Sequence, residues 1–459
     1  MGRRWLAGSA AVLVVVLSRL AHLDLLWVEE AYGMVAAREL LRGRSLYHDI
    51  WFDKPPVYAW FYLLCGAEPG LGLRIVGAAF VLWCGWCAWF TARALWSENE
   101  GLIAGALVCC GLTFWIPSAV MSVTPDMLFL PPFFLAIWAS ATSRPLLGGV
   151  FSGVALLCNS KGLAVLAVAA CWAGAAWWKV VISCAIVQVG SFALLPAAAY
   201  WNQVWLWGAG YSADTFVVNP IREAMVRSSG WVAFHLTACA GTVWCFWRGR
   251  NWRFVLWLVV SLACVVGGLR FFPRYYFALL PIFAVVGARG LMLMSVRWRI
   301  LVFGLILVPI LRFGPRYVMV AASGAAGWSD AALMRDSWQA AAVVRAWAHP
   351  TDKILVWGYR PDIVVWSRLP LATPYIDSQP LSGILADRHL TVSTPTFPAL
   401  AADNLRALLL SPAPEILVDG LGRLNPTLSL ENRQDLRSLL VRYERIGETS
   451  ASIVYRLKP

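Results

Sequence analysis

The residues best suited to chemistry begin with the adjacent Glu29 and Glu30, followed by Asp53 and Lys54 set against Pro55 and Pro56. A carboxylate at a helix N-terminus is kept ionised by the helix dipole and can accept a proton from an attacking hydroxyl. Adjacent helical residues point about 100° apart, so the two glutamates cannot address one atom equally. One serves as base or ligand and the other as a structural acceptor, or both merely compensate the dipole. The prolines hold Lys54 extended and suit the first turn of the next helix, which fixes its ammonium as a point charge fit to hold a phosphate. The plainer reading of Lys54 is a lysine snorkelling at a membrane boundary. Further along the chain stand Asp126 in "TPDMLFL", Lys161 in "NSKG", and Arg270, Arg274 and Tyr275 in "RFFPRYY".

The elements that carry these residues are set by composition. Of 459 residues, 60% are hydrophobic and 14% charged, with 27 tryptophans. Mean hydropathy is +0.65. That much apolar surface needs a bilayer as solvent. The net charge of +13 comes from Lys and Arg clustered in short loops, the positive-inside pattern, and is no sign of nucleic-acid binding. Apolar runs fall at about 5–22, 72–94, 101–120, 127–141, 148–160, 162–178, 180–200, 231–247, 254–269, 276–293 and 300–313. Laid alternately across a bilayer, they put Arg3, Arg4, Arg93, Arg144, Lys179, 248–253 and 297–299 on the inside. The first run reads as an uncleaved helix rather than a signal peptide. All eleven cysteines precede residue 265, nearly all within apolar runs; Cys84 and Cys87, between Trp83 and Trp86, read as small fillers.

The sequence therefore predicts a polytopic all-α membrane domain, residues 1–313, with about eleven spans, and a C-terminal α/β domain, 314–459, on the outer side. In the tail, 352–358, 415–420 and 452–457 read as short buried strands, and 335–349, 398–410 and 432–443 carry helical spacing. The first outer loop, about 23–71, contains a helix from Val28 to Leu41. It is expected to lie along the membrane surface, with Met34, Val35, Leu40 and Leu41 toward lipid or protein and Arg38 and Arg42 on the polar side. The opening loop, Asp126, Lys161 and the 270–276 stretch then converge at helix ends on one face. Ionisable groups at membrane depth are costly and mark a working site.

The stretch "EEAY…ARELLRGRSLYHDIWFDKPPVYAW" resembles the first outer loop of bacterial GT-C glycosyltransferases of the aminoarabinose-transferase and protein-mannosyltransferase-like group. "TPDMLFL", "GVFSGVALLCNSKGLAVL", "RFFPRYYFALLP" and, in the tail, "DKILVWGYRPDIVVWSRLPLATPY" are similar to later parts of the same proteins, in the same order. The resemblance implies transfer of a sugar from a polyprenyl-phosphate carrier to a lipid, glycan or protein acceptor, outside the cytoplasmic membrane of a bacterium. Glu29 matches the acidic residue that acts there as base or orients the acceptor. Most members have Asp at that place, which leaves Glu30 as a competitor. Lys54, Lys161, Arg270, Arg274 and Tyr275 match the places that hold the carrier phosphate, and Asp126 matches a second acidic position, with Asp53 beside the lysine.

Such a reaction needs a carboxylate to take the acceptor's proton and cations to stabilise the departing phosphate; direct attack would invert the anomeric centre. A divalent metal could be held near Glu29, Glu30, His48, Asp49 and Asp53, but no tight ligand spacing demands one. Two other function classes share the need for a polar cavity or an outer domain. A flippase for lipid-linked sugars would show repeated halves and broken helices at the midplane, and neither repeat nor midplane charge is present. A purely structural envelope protein would leave the charged first loop unexplained.

Overall fold

The computed structural model describes residues 2–215, 217–249 and 251–459, with side chains from Gly8 onward. The side chains of Arg3 and Arg4, and all of Arg250, lie outside the described residues.

The first two thirds of the chain is helical. Among the described residues three runs, Leu71–Leu95, Gly162–Leu194 and Pro273–Leu293, are by length and composition long and apolar enough to cross a membrane. Gly8–Leu20, Pro125–Ala141, Pro145–Cys158 and Trp252–Val266 are shorter apolar helices. Fewer full-length spans appear than the eleven expected, because several of the apolar runs are interrupted. The run expected at 101–120 stops as a helix at Gly111 and resumes only at Pro117. Irregular backbone at such depth requires internal partners. Arg19 supplies them, donating to the carbonyls of Met121 at 2.5 Å and Leu112 at 3.3 Å.

The Gly162–Leu194 run is two helices folded on each other. Gly174 takes a positive φ of 57° and breaks it. A Cβ on Gly149 would lie 1.9 Å from Ser183 Oγ, and one on Gly153 2.6 Å from Val187 Cβ. The register rises together, so Pro145–Cys158 and Trp177–Leu194 run parallel in direct contact and Gly162–Ala173 runs back beside both. Small residues let other helices approach as closely. A Cβ on Gly290 would meet the Gly241 carbonyl oxygen at 1.7 Å, so the Leu236–Arg248 and Leu280–Leu293 helices pack backbone to backbone.

The last third builds a four-stranded sheet in the order β1-β2-β4-β3: β1 is Ile354–Trp357, β2 Ile416–Asp419, β3 Tyr443–Glu448 and β4 Ile453–Leu457. The strands β1 and β2 are parallel and wholly buried, as their continuous apolar runs require; the other pairs are antiparallel. Helices Ala332–Trp347 and Pro398–Leu410 form where their spacing predicts. The helix expected at 432–443 is reduced to single turns at Gln434–Leu436 and Arg437–Leu440, because Tyr443 onward is drawn into the sheet edge against β4.

Helix Val28–Leu41 forms as expected, but its setting is different. It is buried from Glu30 through Glu39, held between the Val57–Leu64 helix and the Pro361–Ser367 helix of the C-terminal part. Its supposed polar face is the seam. Arg38 donates to the carbonyls of Ala67 at 2.9 Å and Val365 at 2.6 Å and pairs with Glu68 at 2.8 Å. Glu39 takes Arg42 and Arg44, whose guanidinium groups reach the carbonyls of Arg368 and Thr373. The buried Arg38 and the partly exposed Arg42 and Arg44 thus tie the two parts together through backbone carbonyls. On the apolar face Met34 and Val35 are buried against protein, one of the two settings expected of them, while Leu41 is 64% exposed.

Candidate active site

The two opening glutamates part company at once. Glu30 lies at the third position of its helix, where it closes the N-terminus by accepting from the Trp27 backbone N–H at 3.3 Å. Both of its oxygens meet Arg74, at 2.6 and 2.9 Å, and both side chains are 1% exposed. Arg74 spends its remaining donors on the carbonyls of His22 and Leu25. Glu29, one residue earlier, turns the other way and pairs with Arg274 at 2.7 Å. Its backbone carbonyl is held by the Tyr58 hydroxyl.

Glu29 opens onto a cavity of about 510 Å³. The walls come from the first outer loop, the Thr124–Asp126 turn, the Asn159–Lys161 turn, the 272–275 stretch, the helix around Trp207–Ser212, and Tyr359, Gln379, Ala386 and Asp387 of the C-terminal part. Of the residues singled out in the sequence, Glu29, Asp53, Lys54, Asp126, Lys161, Arg274 and Tyr275 line this one space. Glu30, Arg270 and His48 do not line it. Arg270 is buried behind the wall, paired with Asp387 at 2.6 Å and set over the Tyr211 ring at 4.0 Å. His48 is exposed and bonded to Asp49.

Three cations face the cavity, each with a carboxylate of its own. Lys54 pairs with Asp53, whose other oxygen accepts from the Tyr32 hydroxyl at 2.8 Å. Lys161 pairs with Asp126 at 2.6 Å, and Asn159 donates to the same oxygen at 3.2 Å. Its ammonium also sits 3.6 Å from the centre of the Tyr275 ring. Arg274 pairs with Glu29. An anion entering the cavity finds positive charge already held in place and needs only to share it.

Sequence reasoning missed the partners drawn from far along the chain. Arg74 lies in the Leu71–Leu95 helix, and Tyr211, Tyr359, Gln379 and Asp387 carry no local motif. Beside Gln379, Asp377 is buried, and burial pushes its carboxyl up to about 7 against the hydrogen bonds from the Gln379 backbone and side chain that pull it down. Among the described residues no group of three or more His, Cys, Asp or Glu is placed to hold a metal ion. Of the five residues considered from sequence, Glu30 is taken by Arg74, His48 and Asp49 pair with each other on the surface, and Glu29 and Asp53 line the cavity.

No family model and no curated protein matches the sequence. The architecture does have counterparts. The structure of ArnT from Cupriavidus metallidurans bound to undecaprenyl phosphate superimposes with a TM-score of 0.64 at 14% identity, over 99% of this chain and 98% of that one. The oligosaccharyltransferase AglB from Archaeoglobus fulgidus, in complex with an inhibitory peptide and a dolichol-phosphate, gives 0.52 at 11% identity over 96% and 73%. At such identities the likeness is one of fold. The chain has the GT-C glycosyltransferase fold.

Proposed function

We propose that the protein is a membrane glycosyltransferase that moves a sugar from a polyprenyl-phosphate carrier to a lipid, glycan or protein acceptor, with inversion. The observation that carries this reading is the single cavity in which Glu29 stands among three fixed cations, Lys54, Lys161 and Arg274. The bound lipid phosphates of the two structural counterparts support the choice of donor class. In this reading about eleven spans place the cavity and the C-terminal α/β part on the outer face of a bacterial cytoplasmic membrane.

The chemistry follows from the pairings. The acceptor's hydroxyl oxygen attacks the anomeric carbon, the bond from that carbon to the phosphate oxygen breaks, and the proton passes to Glu29. The departing phosphate gains negative charge beside Lys54, Lys161 and Arg274, where fixed cations in a partly dry site stabilise it. Arg274 links the two events. Its guanidinium pairs with Glu29 and lines the same cavity as Lys54 and Lys161. Glu30 is structural, holding the loop through Arg74.

The test is a transfer assay with purified protein in lipid nanodiscs and radiolabelled polyprenyl-phosphate sugars. Label appearing on an acceptor with release of polyprenyl phosphate supports the reading. Movement of intact donor between leaflets, with no bond cleaved, would support a flippase instead.

A further inference from the structure

A second pocket, of about 500 Å³, lies at the far end of helices that also build the active cavity. The Pro273–Leu293 run starts in the cavity wall with Arg274 and Tyr275 and ends in the second pocket with Arg289 and Leu293. The Leu71–Leu95 helix likewise begins beside Glu30, through Arg74, and ends at Trp96, which lines the second pocket. Both runs are long and apolar enough to cross a membrane, so in a bilayer the two pockets face opposite leaflets. Trp96, Phe254 and Leu293 give the second pocket an apolar wall, and its charges are Arg248 and Arg289. Among the described residues no Asp or Glu lines it.

Positive charge there is in excess. Arg289 donates through Nη1 to Glu100 at 2.6 Å, and its guanidinium carbon lies 5.9 Å from the centre of the Trp96 ring. Glu100 is 3% exposed and also holds the Ser97 hydroxyl, whereas the Arg289 side chain stays 36% exposed. Arg248 is exposed, sits over the Trp244 ring at 5.3 Å, and makes no ion pair among the described residues. The neighbours of Arg248 and Arg253 in sequence, Trp247 and Trp252, are 78% and 64% exposed. Exposed tryptophans beside arginines mark the headgroup level of a bilayer. A soluble anion would use the two arginines and leave the apolar wall idle; a phospholipid uses both. A zwitterionic headgroup would bring an ammonium for which the pocket lining offers no carboxylate, whereas a basic pocket between membrane helices suits an acidic headgroup.

We propose that this pocket binds the phosphate of an anionic phospholipid, of the phosphatidylglycerol kind, from the leaflet opposite the active cavity. Arg248 and Arg289 hold the phosphate, and Trp96, Phe254 and Leu293 receive the apolar part next to it. The inference rests on the membrane placement of these helices and not on sugar transfer, so a protein without turnover leaves it standing.

Native mass spectrometry of the full chain in detergent, titrated with phosphatidylglycerol or phosphatidylcholine of matched acyl chains, tests it. The first phosphatidylglycerol should bind the unaltered protein about tenfold more tightly than the first phosphatidylcholine. Arg248→Gln should weaken that phosphatidylglycerol about fivefold and leave phosphatidylcholine within about twofold. Arg248→Gln joined with Arg289→Gln and Glu100→Gln, which removes Arg289 without stranding its buried carboxylate, should abolish the preference. Arg297→Gln, at an exposed arginine that starts the Val296–Gly304 helix outside the pocket, should leave the preference within about twofold. Equal loss in Arg297→Gln and Arg248→Gln would mean diffuse attraction to basic loops and would overturn the inference. So would equal affinity for the two lipids, or an unchanged preference in both pocket variants. Displacement of the lipid by glycerol phosphate at comparable concentration would also overturn it, by making the pocket a site for a soluble anion.

Discussion

Replacing Glu30 by Gln separates the two opening glutamates most sharply. Glu30 and Arg74 form a two-pronged ion pair with both side chains 1% exposed, and Arg19, also fully buried, stands near enough to repel Arg74. A glutamine can offer one carbonyl oxygen to Arg74 but no charge, and its amide places a donor where Arg74 already presents donors. Breaking a buried pair by removing one partner's charge costs about 3–5 kcal/mol, because the other charge stays desolvated. Glu30→Gln should therefore lose about that much stability, seen as a lower thermal midpoint in detergent and poor recovery of folded protein. Turnover per folded molecule should stay close to that of the unaltered protein. Glu30→Leu combined with Arg74→Met should recover most of the loss, since apolar replacement of both members is often nearly neutral. A Glu30→Gln protein that is as stable as the original but inactive would refute this reasoning and move Glu30 into the chemistry.

Lys54→Ala, Lys161→Ala and Arg274→Ala should each raise the donor KM roughly ten- to hundredfold, from charge-assisted contacts worth about 1.5–3 kcal/mol. The folds should survive, because Asp53 keeps Tyr32 and Asp126 keeps Asn159; three unchanged KM values would place the phosphate elsewhere. Asp377 adds a pH dependence. Its carboxyl, raised to about 7, keeps its proton in the folded protein while the unfolded chain ionises near pH 4, so its unfavourable contribution grows from about pH 4 to 7 and then levels. Asp377→Asn should gain stability relative to the unaltered protein through that window, by on the order of 2–4 kcal/mol, and a flat difference in denaturation midpoints between about pH 4.5 and 8 would contradict it. Reporter fusions at residue 251 and at the C-terminus should give opposite compartment signals, and identical signals would break the alternating arrangement of spans.

What the sequence made legible was whatever one element decides alone. Glu29 and Lys54 could be found because a helix start and a Lys-Pro-Pro turn are local, and β1, β2 and β4 because short apolar runs bounded by turn residues have few other uses. The role of Glu30 was not legible, because it is set by Arg74, an arginine that reads as an ordinary charge at the start of an apolar helix. The seating of the Val28–Leu41 helix was misjudged for the same reason. Arg38 and Arg42 look like a solvent face until the carbonyls of Val365 and Arg368 arrive from more than three hundred residues away. Asp387 gave no signal at all, since it stands in a loop without motif and gains meaning only from Arg270 and the cavity beside it.

Single-turnover transfer by Glu29→Gln, compared with the unaltered protein at saturating donor, tests most directly whether the Glu29–Arg274 pair is the reacting centre. Glutamine keeps the size and polarity of the side chain but cannot take a proton, so the rate should fall about a hundredfold or more. Donor affinity should be retained, because Lys54, Lys161 and Arg274 remain. A Glu29→Gln protein that transfers sugar at the original rate would contradict the assignment and take the first outer loop out of the chemistry.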